Sequence, residues 1–220
     1  MDFLSQKVSE ALGRNVQLQE KYGGGGLSGG GGAFTSTAVD QKDGTPYFVK
    51  SATGKIAMLQ AEYHGVKAMS ETHTIRVPTP ICFGEHRGRG FAVFEWLDFV
   101  RGGSEYELGQ QLAKMHRHTS KQGFGFHLDN TIGATHQPNL PWMENWADFW
   151  DQHRLGHMLK LTNNVGFDEN KIAELRAKTR DLLSHNPVPS LVHGDLWGGN
   201  KGYCKDKGKV VPVIFDPATY

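Results

Sequence analysis

The octapeptide His193-Gly194-Asp195-Leu196-Trp197-Gly198-Gly199-Asn200 carries the residues whose types and spacing best suit chemistry. It fits H-x-D-x-x-x-x-N, in which the aspartate can accept the proton of an attacking hydroxyl and the asparagine can ligate a metal. Asp216 follows sixteen residues after Asn200, behind the apolar run that ends in Ile214-Phe215. Two oxygen donors brought together by a β-hairpin suit a Mg²⁺ ion that bridges phosphates. Lys50 ends the strand-like run Tyr47-Phe48-Val49-Lys50, and Glu62 lies twelve residues on. A lysine there can neutralise nucleotide phosphates, and the carboxylate can keep it aimed. Alone, Lys50 reads as an exposed strand lysine and Glu62 as a solvated helix residue. His193 reads as structural, bonded to the backbone of its loop.

Residues 23–32, GGGGLSGGGG, precede Lys50. Gly24, Gly26 and Gly29 satisfy G-x-G-x-x-G, a weak match in so glycine-rich a tract. The following Ala33-Phe34-Thr35-Ser36-Thr37-Ala38-Val39 is β-branched and alternating, so the helix that a dinucleotide fold requires at this point is missing. No G-x-x-x-x-G-K-[ST] occurs either. A glycine loop between two antiparallel strands can instead lay its backbone over phosphates, because no Cβ intervenes. A flexible linker is the plain alternative. The order glycine loop, lysine, glutamate, H-x-D-x-x-x-x-N and distal aspartate favours the phosphate-covering loop.

The elements that must position these residues follow from periodicity. Residues 2–13 have helical spacing and stop at Gly13; Val16, Leu18 and Glu20 alternate with polar residues. Segments 33–39 and 45–51 flank an Asp43-Gly44 turn, a hairpin signal. Residues 55–70 place Ile56, Leu59, Tyr63, Val66 and Met69 on one helical face. Residues 75–83 are extended, and 89–99 read as a buried strand running into a connector. Residues 104–120 open with a capping box, Ser104 and Glu107. Further helices are predicted over 142–161 and 168–184, and a hairpin leads into 210–220. Trp142, Trp146, Phe149 and Trp150 read as packing core. His116 and His118 sit late in a helix, where packing or dipole contact suffices. The fold class is α+β, with a β-rich lobe over 1–99 and a mainly helical lobe over 100–220.

Composition excludes several classes. A net charge of +1 leaves no electrostatic footprint for nucleic acid, and no apolar run is long enough to span a membrane. No secretory or transit peptide is read at the N-terminus. Cys82 and Cys204 are isolated, and no zinc spacing appears among eleven histidines. Reduced thiols in a cytoplasmic setting are expected.

The sequence resembles the fructosamine/ketosamine-3-kinases, of the aminoglycoside-phosphotransferase-like branch of the protein-kinase-like fold. That branch has His-Gly-Asp where protein kinases have His-Arg-Asp, and an Asp without a following Phe-Gly, here Asp216-Pro217-Ala218. Trp197, the segment NTIGATHQPN (130–139), the set Trp146, Phe149, Trp150, Arg154 and Leu155, and FDPATY (215–220) carry the nearer likeness, which covers essentially the whole chain. The resemblance implies ATP-dependent phosphorylation of the C3 hydroxyl of ketoamines, as free metabolites or on glycated protein lysines, which releases the sugar and repairs the protein. It implies Asp195 as base, Lys50 and Glu62 as ATP anchors, Asn200 and Asp216 as magnesium ligands, Trp197 against the sugar, and backbone groups around Glu95–Leu97 against adenine. Leu27 stands where many members have cysteine in the glycine loop. The family continues through further C-terminal helices beyond the position of Tyr220, so the helical lobe is expected to be shortened here. Other small-molecule kinases of the aminoglycoside or choline kinase branch, and a non-catalytic pseudokinase, are the competing readings. Sugar identity and oligomeric state are not legible.

Overall fold

The computed structural model describes residues 1–21, 32–162, 166 and 168–220. Gly24, Gly26 and Gly29 lie outside them. Strand alternation builds the N-terminal layer, because successive side chains point to opposite faces of a sheet. In β3 (Pro46–Thr53), Tyr47 and Val49 join a core with Val8, Val16 and Leu18, while Ala52 joins Leu59, Val66 and Met69, and Phe48 packs there too. In β5 (Arg89–Glu95), Phe91 and Val93 take the first side and Ala92 and Phe94 the second. Helix α1 (Asp2–Leu12) therefore covers one face and α2 (Ile56–Ser70) the other. The sheet is antiparallel throughout, in the order β1-β2-β3-β5-β4, with β1 Leu18–Lys21, β2 Phe34–Asp40 and β4 Pro80–His86. Lys50 alternates with Val49, so it faces α2 and the cleft.

The expected turn after β2 closes with Gly44 donating to the Asp40 carbonyl at 2.8 Å. Gly13, at φ 63°, ends α1 in the left-handed conformation.

The C-terminal part contains β6 (Phe99–Val100), α3 (Glu105–Met115), β7 (Asn130–Ile132), β8 (Thr135–Gln137), α4 (Trp146–Trp150), a π-helical turn (Asp151–Leu155), α5 (Gly156–Leu161), α6 (Glu169–Leu182), β9 (Lys201–Asp206) and β10 (Lys209–Ile214). Strands β10, β9 and β6 form one sheet and β7–β8 another. Two predicted helices are shorter than their patterns. Over 104–120 the helix stops at Met115; Ser104 caps Glu107 N–H at 3.1 Å, but the Glu107 carboxylate accepts from Gln111 at 2.9 Å, so the box is half made. Over 142–161 the helix begins only at Trp146, behind Asn145, whose side chain accepts from Asp148 N–H at 3.0 Å. Phe149 is fully buried, as a packing role requires. Among the described residues, no helix is long and apolar enough to cross a membrane.

The β9–β10 hairpin turns through Lys207 and Gly208, both with positive φ (48° and 80°), the geometry that suits a two-residue turn. Its open end sets Asn200 beside Phe215, whose N–H donates to the Asn200 carbonyl at 3.0 Å. That register brings Asp216 to the loop carrying Asp195.

Candidate active site

Lys50 is 5% exposed. Its ammonium donates to Glu62 Oε1 at 2.7 Å and also to Asp216 Oδ1. Burial alone would depress the Lys50 pKa, but the two carboxylates outweigh it and hold the pKa above the ordinary lysine value. Glu62 shows the opposite balance. Burial raises its pKa, and Asp216 adds to the rise against the attraction of Lys50. The cluster therefore has two carboxylates sharing one cation.

The loop 193–200 is fixed from beneath. His193 is buried, and its Nε2 lies 2.9 Å from the Phe215 carbonyl. A carbonyl only accepts, so Nε2 carries the hydrogen and Nδ1 accepts from Asp195 N–H at 3.3 Å. Burial keeps this imidazole below the usual histidine pKa, consistent with the neutral tautomer and the structural role. Gly194 has φ 80°, and a Cβ there would collide with the Ala218 carbonyl. Both facts exclude the arginine that protein kinases carry at this point.

Asn200 Nδ2 donates to the Asp195 carbonyl (2.9 Å), Asp195 Oδ2 (3.1 Å) and the Asp216 carbonyl (3.3 Å). This arrangement assigns Oδ1 to the opposite side, where no described residue donates to it. Asp216 has φ 57°, which aspartate tolerates better than most residues. Oxygen donors from Asn200 and Asp216, with hydration and phosphates completing the shell, fit a hard divalent cation such as Mg²⁺.

Two cavities meet here. One, about 140 Å³, is lined by Lys50, Glu62, Thr131, Asp195, Trp197, Asn200 and Asp216. The other, about 310 Å³, is walled by Phe48, Val66, Phe94, Trp96, Leu97, Phe99 and Phe215, and shares Glu62 and Asp216 with the first. An apolar slot opening onto a polar chamber suits a planar base joined to phosphates. Leu97 N–H has no backbone or side-chain acceptor among the described residues. The Glu95 carboxylate turns elsewhere: it accepts from Arg76 and from Thr79 Oγ1 (2.6 Å) and Thr79 N–H (3.0 Å). With that carboxylate committed, the connector offers a base the Leu97 N–H and the apolar side chains of Trp96 and Leu97. Trp197 is 64% exposed at the mouth of the polar chamber. A third cavity, about 580 Å³ and largely apolar, lies between the segments 116–126 and 187–192, and none of these site residues lines it.

Sequence reasoning missed a buried polar network that joins three of the motifs. Asn130 Nδ2 donates to the Thr219 carbonyl (2.6 Å), and Gln137 Nε2 donates to Asn130 Oδ1 (2.8 Å) and to the Ala218 carbonyl (3.2 Å). Asn139 Nδ2 also reaches the Thr219 carbonyl (3.2 Å), and its Oδ1 accepts from Arg154 (2.7 Å). The Arg154 guanidinium lies over the rings of Phe149 and Tyr220, 4.6 and 4.4 Å from their centres. The β7–β8 hairpin, the π-helical turn and the segment after Asp216 are thus one interlocked unit. The only available signal was the motif text itself.

The fructosamine kinase family model matches residues 2–220. A Synechocystis protein named a probable ketoamine kinase is 42% identical over 223 residues, covering 99% of this chain and 72% of that protein. The chloroplastic protein-ribulosamine 3-kinase of Arabidopsis thaliana is 41% identical over 201 residues, covering 87% of this chain and 60% of that protein. A Haemophilus somnus crystal structure, provisionally assigned as a fructosamine-3-kinase, superposes with a TM-score of 0.80 at 25% identity, covering 98% of this chain and 71% of that one. With its glycine-bearing His-Gly-Asp loop seated on the Asp216 segment, an α+β kinase-like fold and a match from residue 2 to residue 220, the chain belongs to the fructosamine kinase family.

Proposed function

We propose that this protein transfers the γ-phosphoryl group of ATP to the C3 hydroxyl of ketoamines, the first step in removing sugar from glycated amines. The observation that carries this reading is the convergence of Lys50, Asp195, Asn200 and Asp216 on one chamber that opens into an apolar slot. The names of the Synechocystis and Arabidopsis relatives support the acceptor class.

In this reading the adenine lies in the slot, with the Leu97 N–H as its backbone donor, and Lys50 holds the phosphates. Asn200 Oδ1 and the Asp216 carboxylate would hold Mg²⁺, which when bound would neutralise charge on the phosphates. The Asp195 carboxylate, oriented by Asn200, takes the hydroxyl proton as the acceptor oxygen bonds to γ-phosphorus and the bond to the ADP oxygen breaks. Trp197 offers an indole face to the sugar. Lobes over 1–99 and 100–220 enclose the chamber.

The test is ATP consumption with ribulosyl-lysine and fructosyl-lysine, free and in a glycated protein. Turnover on a ketoamine with Asp195→Asn reduced by roughly 10²–10⁴-fold, nucleotide binding being retained, is the expected result. Phosphorylation of amino alcohols but of no ketoamine would reassign the acceptor. Nucleotide binding without any turnover would make the protein a binding module.

A further inference from the structure

Gly65 is out of place by the rules of its own helix. It sits in the interior of the 15-residue α2, where alanine would lose less backbone entropy. Its φ is not among the positive values, so no special backbone conformation calls for glycine. The requirement comes from outside the helix. A Cβ at position 65 would lie 2.5 Å from Thr219 Oγ1, 3.2 Å from Pro217 Cγ and 3.3 Å from Thr219 Cβ. Residues 217–219 directly follow Asp216, and Gly65 is one turn beyond Glu62 on the same face of α2.

The segment against which Gly65 lies has no room to retreat. Asn130 and Asn139 hold the Thr219 carbonyl, Ala218 N–H donates to the His193 carbonyl at 2.9 Å, and Thr219 is 1% exposed. Turning the Thr219 hydroxyl aside still leaves Pro217 Cγ and Thr219 Cβ at 3.2 and 3.3 Å from a Cβ at position 65, on a backbone that is held in place, so α2, and Glu62 with it, shifts away from Asp216. Thr219 Oγ1 is buried without a hydrogen-bond partner among the described residues, so shortening this side chain removes bulk and breaks no hydrogen bond of the hydroxyl.

We propose that Gly65 is a positioning residue for phosphate binding: it seats α2 on residues 217–219 closely enough for Glu62 and Asp216 to reach Lys50 together. This rests on the reading of Lys50 as the phosphate anchor. Gly65 touches no substrate and acts only through the Glu62–Lys50 contact.

The experiment compares Gly65→Ala, Thr219→Ala and the double variant, with Lys50→Ala as reference, by KM for ATP and for ribulosyl-lysine, kcat, ATP affinity by calorimetry, and thermal melting. Gly65→Ala should weaken ATP roughly tenfold or more, the worth of one charge-assisted hydrogen bond, and leave the KM for ribulosyl-lysine nearly unchanged. Adding Thr219→Ala should return ATP affinity toward that of Thr219→Ala alone, as for two residues in contact. Unaltered ATP affinity in Gly65→Ala, or a loss that Thr219→Ala does not relieve, overturns the proposal. Should Gly65→Ala not fold, the double variant decides: folding with restored affinity supports the proposal, and failure of both overturns it. If Lys50→Ala binds ATP as the unmodified protein does, the anchor reading itself fails, and the absence of ketoamine turnover in the unmodified protein separately removes the acceptor assignment.

Discussion

Replacing Glu62 by glutamine separates what the Lys50 cluster contributes to folding from what it contributes to nucleotide binding. Removing one partner of a buried ion pair commonly costs about 3–5 kcal/mol, because a charge is left unpaired. Here Lys50 keeps Asp216. Burial, with the neighbouring Asp216 adding to it, raises the Glu62 pKa to about 7, so its charge is only partly present near neutral pH. Glutamine retains the shape and one acceptor oxygen for the contact now 2.7 Å long. The expected loss of stability is therefore no more than about 1 kcal/mol, the net worth of one hydrogen bond. Function should respond more strongly. With Glu62 neutral, Lys50 and Asp216 neutralise each other, which on the proposed reading withdraws the ammonium from phosphate and the carboxylate from metal. A fall of roughly 10–100-fold in kcat/KM for ATP follows, or about 1.4–2.7 kcal/mol of transition-state stabilisation. Urea unfolding followed by tryptophan fluorescence and initial rates at varied ATP measure the two quantities. A loss above about 3 kcal/mol with untouched ATP kinetics would refute the division of roles, since Glu62 would then be structural.

Arg154→Met should cost about 2–4 kcal/mol in urea unfolding, because the Pro138 carbonyl and Asn139 Oδ1 lose donors at 2.6 and 2.7 Å in a buried site. Arg154→Lys should recover only part of this, since an ammonium cannot reproduce the planar fork. The Cys82 thiol, pushed up to about 12 by burial, should resist thiol reagents at pH 8 until the protein unfolds, with only about 10⁻⁴ present as thiolate; rapid labelling of the native protein would contradict this. Burial holds His153 below the ordinary histidine pKa despite its contact with the Pro141 carbonyl. Its contribution to stability is present above the unfolded value and lost as pH falls through and below it, so His153→Gln should flatten the decline of melting temperature under acid.

The residues that converge on the polar chamber were legible where charge and spacing single them out. Lys50, Glu62, Asp195, Asn200 and Asp216 are each readable from a motif. The apolar slot was not legible. Phe48, Phe94, Phe99 and Phe215 come from four separate segments, and each reads as ordinary core until the fold assembles them. Asn130, Gln137 and Asn139 were visible only as motif letters. They carry neutral amides, and strands of three residues are too short for alternation to show. Helix ends over 104–120 and 142–161 were overrun because apolar spacing continues past the point where caps and local packing stop the helix. Gly65 lay unread within a convincing helical segment, since nothing local reveals the Thr219 side chain packed against it.

The β9–β10 hairpin joins Asn200 to Asp216, and its pairing is two-residue periodic from Lys201 opposite Ile214 to Asp206 opposite Lys209. Growth or shrinkage at its tip by whole cross-strand pairs leaves the base of the ladder unchanged, whereas a single added residue must be taken up by a longer turn or a bulge if Lys201 is to stay opposite Ile214. The length of the excursion can therefore vary in even steps while Asn200 and Asp216 at its foot stay in place.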